Sequence, residues 1–148
     1  MIKLKKILYP TDFSKASFEG LKYAISFARS TQSKLILMYV VNQKMFSENL
    51  SLARVISPEA LGKEMADEAR RRLKVLIPVE ERDGLDWETN IRSGNPAQEI
   101  IRYAKENDID MIVICAAGHS GIEHMMFGST AEKVVRGAHC PVLLVKPQ

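Results

Sequence analysis

Residues 115–130, CAAGHSGIEHMMFGST, gather the residue types that can hold an anion. They follow an apolar run and lead into AEKVVRGA, which has the pattern of a helix. Gly118, Gly121 and Gly128 allow unusual backbone angles and close approach of a ligand. Ser129 and Thr130 open the helix. The first N–H groups of a helix have no partner within it, and its dipole favours negative charge there. The same residues also spell a capping box, with Ser129 bonding the first N–H groups and Glu132 reaching back. Such a box would use the donors that a phosphate needs and set a carboxylate beside them. On the pattern alone, a capped helix is the simpler reading. The stretch is neither a P-loop, since no Gly-Lys-Ser/Thr follows its first glycine, nor a G-x-G-x-x-G fingerprint.

Asp12 can accept hydrogen bonds from a ribose or an exocyclic amine, or it can cap the helix that follows it. His119 and His124 flank the glycine-rich stretch, but a pair without a third ligand is weak support for a metal site. No Ser/His/Asp signature marks a hydrolase. Cys115 ends an apolar strand with no basic neighbour in sequence and reads as a buried structural thiol. Cys140 precedes Pro141 and is expected to pack inside the last turn.

The elements that must position these residues alternate along the chain. Apolar, β-rich runs cover 2–9, 34–41, 87–92, 110–115 and 141–146. The second and fourth are almost continuously apolar, as strands covered on both faces should be. The run 87–92 alternates and should be more exposed. Between the runs, a 3.6-residue period marks helices. The helix over 14–30 faces Phe18, Leu21, Ile25 and Ala28 inward. The helix over 58–76 carries a stripe of Leu61, Met65, Ala69, Leu73 and Leu76. The helix over 96–107 turns Ile100, Ile101 and Ala104 inward, and that over 129–138 turns Val134, Val135 and Ala138 inward. A βαβαβαβαβ order implies a parallel sheet with helices on both faces. Ligands of such sheets bind beyond the carboxyl ends of the strands. Three loops leave those ends with polar or glycine residues: 10–14, 93–96 and the stretch from Cys115. Residues 42–57 form an unusually long connection, either a flap over a ligand or a surface loop.

A chain of 148 residues, 46% hydrophobic and 26% charged, fits one globular domain over 1–148. A net charge of +3 with mixed signs gives no argument for nucleic acid. No apolar run approaches the roughly 20 residues that span a bilayer. Two cysteines make no disulfide framework, and the chain reads as cytoplasmic.

The motifs together carry a family resemblance. Lys5-Lys6-Ile7-Leu8-Tyr9-Pro10-Thr11-Asp12-Phe13-Ser14 resembles the opening strand and loop of the universal stress protein family. Gly94-Asn95-Pro96-Ala97-Gln98-Glu99-Ile100 resembles its G-x-P-x-x-x-I helix start, and Asp108–Ile114 its fourth strand. Gly118-His119-Ser120-Gly121, the run from Phe127 to Arg136, and Cys140-Pro141-Val142-Leu143-Leu144-Val145 resemble its C-terminal signature. The resemblance covers the whole chain, least well over 42–57. It implies a Rossmann-like α/β fold with an open five-stranded parallel sheet in the order 3-2-1-4-5, which makes strands one and four neighbours. It implies a homodimer paired through the last strand, Val142 to Val145. The family's ATP-binding branch carries Gly, two residues, Gly, nine residues, Gly, then Ser or Thr. Gly118, Gly128 and Ser129 match, whereas Cys115 stands at the first glycine and Ala117 where the branch often has histidine. Carried over by position, the resemblance implies that Asp12 and Val40 contact adenine and ribose, that Pro10 and Thr11 line the same pocket, and that Gly118, Gly128, Ser129 and Thr130 contact phosphate. A cysteine is tolerated at the first position if its φ is negative and strained if φ is positive.

The resulting expectation is a dimeric sensor or regulator binding ATP or AMP, with or without Mg²⁺. Two alternatives stand beside it: an interaction protein of the same fold with an empty or repurposed cleft, and a slow ATPase or phosphotransferase. The last ranks third, because Asp12 is the only carboxylate placed at the cleft and no lysine is placed on the phosphates. No residue is assigned a catalytic or metal-binding role, and neither a membrane nor a nucleic acid is expected as a partner.

Overall fold

The computed structural model describes residues 1–42, 57–116 and 128–147. In chain order the elements are β1 (Lys6–Pro10), α1 (Ser17–Thr31), β2 (Lys34–Val41), α2 (Pro58–Lys74), a 3-10 turn (Val79–Glu81), β3 (Trp87–Ser93), α3 (Pro96–Glu106), β4 (Met111–Cys115), α4 (Ser129–Gly137) and β5 (Val142–Val145). The strands form one sheet in the order β3-β2-β1-β4-β5. Every pairing is parallel. The order is the one implied by the resemblance, and β1 and β4 are neighbours. No helix among the described residues is long and apolar enough to cross a membrane.

The apolar runs divide by alternation between two cores. Ile7, Tyr9, Leu35, Leu37, Met111 and Val113 face α1 and α2, against Leu21, Ile25, Ala28, Leu73 and Ile77. Leu8, Ile36, Met38, Val40, Ile112 and Ile114 face α3 and α4, against Ala97, Ile100, Ala104, Ala131 and Val134. The strand at 87–93 lies at one edge and is half-buried along most of its length, as its alternating sequence predicts. At the other edge, only Val145 of β5 is buried.

Several boundaries and faces differ from the periodic reading. β1 begins at Lys6 rather than residue 2, and Met1, Ile2 and Lys3 are exposed. The N–H groups of Lys5 and Lys6 instead donate to Asp110 Oδ2, at 2.8 and 2.9 Å. α1 begins at Ser17, three residues late, because 14–17 form a turn in which Ser14 Oγ accepts the Ser17 N–H at 3.2 Å. Phe18 is 40% exposed, whereas Leu21, Ile25 and Ala28 are buried as expected, joined by Ser17, Gly20 and Ala24. Gly20 is where α1 approaches the sheet, since a Cβ there would lie 3.2 Å from the Tyr9 ring. α2 ends at Lys74, and of its stripe Leu61, Ala69 and Leu73 are buried. In α4, Ala131 and Val134 are buried while Val135 points out at 46% exposure. Most of the long connection 42–57 falls outside the described residues. Ser57 closes it as the cap of α2, accepting the Ala60 N–H at 3.2 Å, with Pro58 in the first turn.

The turn from β3 into α3 is tightly specified. Gly94 has φ +140° and donates its N–H to Val41 O at 2.9 Å. Asn95 Oδ1 accepts the Gln98 N–H at 3.1 Å, and Pro96 fills the first turn, as its lack of an N–H allows. A Cβ on Gly94 would stand 3.1 Å from Glu99 Oε1, and that carboxylate is buried and bonded to Arg102 Nη1 at 2.7 Å. Gly94→Ala therefore combines backbone strain with a clash, and should lower unfolding free energy by about 1–3 kcal/mol. A urea midpoint that does not move would contradict this account.

Candidate functional site

The site follows from where the strands stop pairing. The β1–β2 ladder ends at Pro10↔Met38, with the Thr11 N–H donating to Met38 O at 2.9 Å. The β1–β4 pairing covers Ile7↔Met111 and Leu8↔Ile112, well short of Cys115 at the end of β4. Beyond these points lies a cavity of about 320 Å³ at the carboxyl edge of the sheet. Pro10, Thr11, Asp12, Val40, Gly128, Ser129 and Thr130 all line it. These are seven of the eight residues expected from sequence. The eighth, Gly118, lies outside the described residues, as do Ala117, His119 and His124.

Val40 contributes its backbone. In a parallel ladder, one residue turns both its N–H and its C=O toward the same neighbouring strand, and the next residue turns to the other side. The Lys34 N–H donates to Lys5 O at 2.8 Å, and Met38 O accepts from Thr11, so the even-numbered residues of β2 address the β1 side. Val41 O accepts the Gly94 N–H, on the β3 side. Val40 therefore directs a donor and an acceptor toward β1, two residues past the last β1–β2 pair. Its side chain packs into the core facing α3 and α4.

Asp12 does not cap α1. Its Oδ1 accepts the Ser14 N–H at 2.8 Å, a turn across two residues. Thr11 Oγ1 accepts the Phe13 N–H at 3.0 Å and shares a hydrogen bond of 2.9 Å with Ser17 Oγ. Ser17 Oγ also donates to Ser14 O at 2.8 Å. Beneath them the buried Tyr9 hydroxyl donates to Ser17 O. Phe13 adopts φ +63°, the left-handed region that bulky residues avoid. Its ring stacks on Tyr39 with centroids 4.8 Å apart, and the Arg72 guanidinium lies 4.1 Å from its centroid. That sandwich offsets the backbone cost with aromatic and cation–π attraction. Ser17 and Tyr39 also line the cavity, along with Met38, Asn42, Pro96, Ile100 and Ile114. Pro96 belongs to a loop that topology had already singled out. Ser17 gave no signal, because only the folded turn brings it beneath Thr11.

The start of α4 corrects the capping-box reading. Gly128, not Ser129, is the cap residue, and no side chain bonds the first N–H groups. The Gly128 N–H donates to Ala116 O, and the Glu132 N–H donates to Gly128 O at 3.0 Å. Glu132 turns outward to Arg136, at 3.1 Å. Ser129 is thus the first helical residue, and the N–H groups of the first turn open onto the cavity without a side-chain cap.

Cys115 is buried, as expected, and also lines the cavity. It is not among the described residues with positive φ, so a side chain is accommodated without backbone strain. Its thiol donates to Ala16 O at 2.9 Å, toward α1. Cys140 is partly buried against the α3–α4 core, and that burial pushes its thiol pKa up.

Burial pushes the Tyr9 pKa up to about 12, partly countered by its Thr11 and Ser17 hydrogen bonds. The folded protein therefore keeps this proton at pH values where the unfolded chain releases it. The associated stability is complete below about pH 10 and is lost as pH rises from about 10 to 12, by about 2–3 kcal/mol. Denaturation midpoints of the wild type should fall over that window more steeply than those of Tyr9→Phe. Parallel slopes would contradict the assignment.

The strand order and the cleft at the carboxyl edge define an open, doubly wound α/β architecture. The Universal stress protein family description matches residues 3–146, and the chain belongs to that family. It is 36% identical over 142 residues to the universal stress protein MJ0531 of Methanocaldococcus jannaschii, covering 96% of this chain and 82% of the relative. Among solved structures it resembles MJ0577, studied for structure-based assignment of biochemical function, with a TM-score of 0.85, 26% identity and 99% of both chains covered. The universal stress protein of Archaeoglobus fulgidus in complex with dAMP shares the fold at a TM-score of 0.60 and 22% identity, covering 99% of this chain and 100% of that one.

Proposed function

We propose that the cleft binds an adenine nucleotide, and that the chain acts as a dimeric, cytoplasmic regulator responding to that nucleotide. The observation that carries this reading is the Val40 backbone pair. One N–H and one C=O point past the end of β1 into the cavity that Asp12 and the first turn of α4 also line. The Watson–Crick edge of adenine presents an acceptor, N1, beside a donor, the N6 amine, and complements such a pair. Met38, Ile100 and Ile114 supply apolar wall for the base. Asp12 supplies an acceptor for ribose hydroxyls. The first-turn N–H groups of α4, with the Ser129 and Thr130 hydroxyls, suit a phosphate. A universal stress protein of the same fold holds dAMP, which accords with this reading. Among the described residues no lysine or arginine lines the cavity, so regulation fits the site better than hydrolysis.

The test is calorimetric titration with AMP and with IMP. IMP reverses the donor and acceptor on the edge facing Val40, so it should bind at least about tenfold more weakly, the cost of leaving such groups mispaired. At a hundredfold excess over its dissociation constant, AMP should stabilise the fold by about 2.7 kcal/mol. Absence of binding at millimolar AMP would overturn the nucleotide reading and leave an interaction protein with a repurposed cleft.

The dimer would form along β5. Pro141 O and Val145 O bond to β4, so by alternation Val142 and Leu144 direct their N–H and C=O groups outward from the sheet edge. A short apolar strand with that edge open invites a second copy. Val142→Pro removes an outward N–H and leaves the β4 ladder intact. Light scattering should report a dimer for the wild type and a monomer for the variant, with unchanged circular dichroism. A wild-type monomer, or a variant dimer, would refute pairing through β5.

A further inference from the structure

Asp12 owes its direction in the cleft to the conformation of the residue after it. Its Oδ1 accepts the Ser14 N–H at 2.8 Å, and the Phe13 N–H donates to Thr11 Oγ1 at 3.0 Å. Phe13 is enclosed between these two bonds. The direction of the Ser14 N–H is set by the backbone angles of Phe13, whose φ is +63°. Residues with a Cβ favour negative φ, because a left-handed angle crowds Cβ against the backbone. A return of Phe13 to negative φ would turn the peptide that follows it and carry the Ser14 N–H away from Asp12 Oδ1. The carboxylate would then lose that bond.

Contacts of the Phe13 ring must therefore hold an angle that the backbone disfavours. The ring stacks on Tyr39 with centroids 4.8 Å apart and planes 22° from parallel. Tyr39 is fixed in β2, paired with Ile91 of β3. The Arg72 guanidinium lies over the Phe13 ring, 4.1 Å from its centroid. A cation in that position is attracted by the ring quadrupole. Arg72 is carried on α2 beside the fully buried Leu73, which docks that helix on the sheet. Tyr39 lines the cleft. Arg72 instead lines a second cavity, of about 300 Å³, with Phe13, Tyr39, Leu61, Met65 and Ala69. It touches the ring whose backbone orients Asp12 from outside the cleft wall.

We propose that Arg72 is a positioning residue for the nucleotide: by holding the Phe13 ring against Tyr39 it keeps Phe13 left-handed, and so sets the Asp12 carboxylate where it accepts from the ribose. This rests on the adenine-nucleotide reading above. It gives α2 a part in ligand affinity through a side chain that does not line the cleft.

The experiment is calorimetric titration of the full chain with AMP, in the wild type, in Arg72→Ala, and in Asp12→Ala and Phe13→Leu with and without Arg72→Ala. Arg72 is exposed and alanine favours a helix, so Arg72→Ala should keep the wild-type circular dichroism. It should weaken AMP by about two- to fivefold, the scale of an exposed cation–π contact. Arg72→Lys keeps a cation over the ring and should recover part of that loss. The ratio of AMP to IMP affinity, which reads the Val40 pair, should not change. In the Asp12→Ala and Phe13→Leu backgrounds, Arg72→Ala should cost nothing further, because its effect passes through both residues. An unchanged AMP affinity in Arg72→Ala, an equal loss in every background, or Arg72→Lys binding no better than Arg72→Ala would overturn the inference while leaving adenine recognition standing. If the wild type binds no AMP, adenine recognition fails and the inference falls with it.

Discussion

The site depends on the central place of β1 in the sheet. Its two neighbours, β2 and β4, lead on to helices that pack on opposite faces of the sheet, α2 on one and α4 on the other. α1 returns on one side, against Leu35, Leu37 and Val113, while α3 and α4 cover the other, against Ile36, Ile112 and Ile114. The strands around β1 run on past their last pairing with it. The space this leaves is lined by strand ends and helix starts, whose backbone groups have fewer partners than those of the ladder. A parallel sheet that reverses its winding direction makes such a crevice by geometry, before any side chain is chosen.

Side chains then fix the one segment that must hold its shape there. Residues 10–17 form no regular element beyond Pro10, yet nearly every polar group in them is engaged. Thr11, Ser14 and Ser17 bond one another's hydroxyls and backbone, and Tyr9 supports them from below. A buried hydroxyl network costs stability when incomplete and confers a single conformation when satisfied. The left-handed Phe13 is held by the same logic, its ring fixed between Tyr39 and Arg72. Asp12 sits between these two anchors, and its turn bond to Ser14 leaves little freedom in where the carboxylate stands.

Strands and helices were legible in the sequence because their signals are local and repeated. Continuous apolar runs marked β2 and β4, and the proline after Ser57 and after Asn95 marked two helix starts. The strand order was not legible from periodicity and came through resemblance. Errors arose where a long-range contact decides a local choice. Ser129-Thr130-Ala131-Glu132 has the residues of a capping box, but the Gly128 bond to Ala116 brings the chain into helix one residue earlier. Phe18 belongs to an apolar stripe by count. The small Ser17 and Gly20 let α1 lie closer to Tyr9 and rotate that ring outward. Of the site, Asp12, Thr11 and the α4 start could be named from their residue types and positions. The backbone groups of Val40 have no signature in any side chain, and Ser17 acquires its place only when the turn closes.

The hydrogen bond from Gly128 to Ala116 has a further effect on how this architecture can change over evolutionary time. It ties the point where the chain leaves β4 to the point where it begins α4, so that connection is closed at its base. The free energy of such a closed segment depends only logarithmically on its length, with each doubling costing about 0.6 kcal/mol. Residues 117–127 can therefore be lengthened, shortened or exchanged with little consequence for the sheet, while whatever they carry stays anchored beside the same helix start. The scaffold can keep one address for ligands and vary what is delivered there.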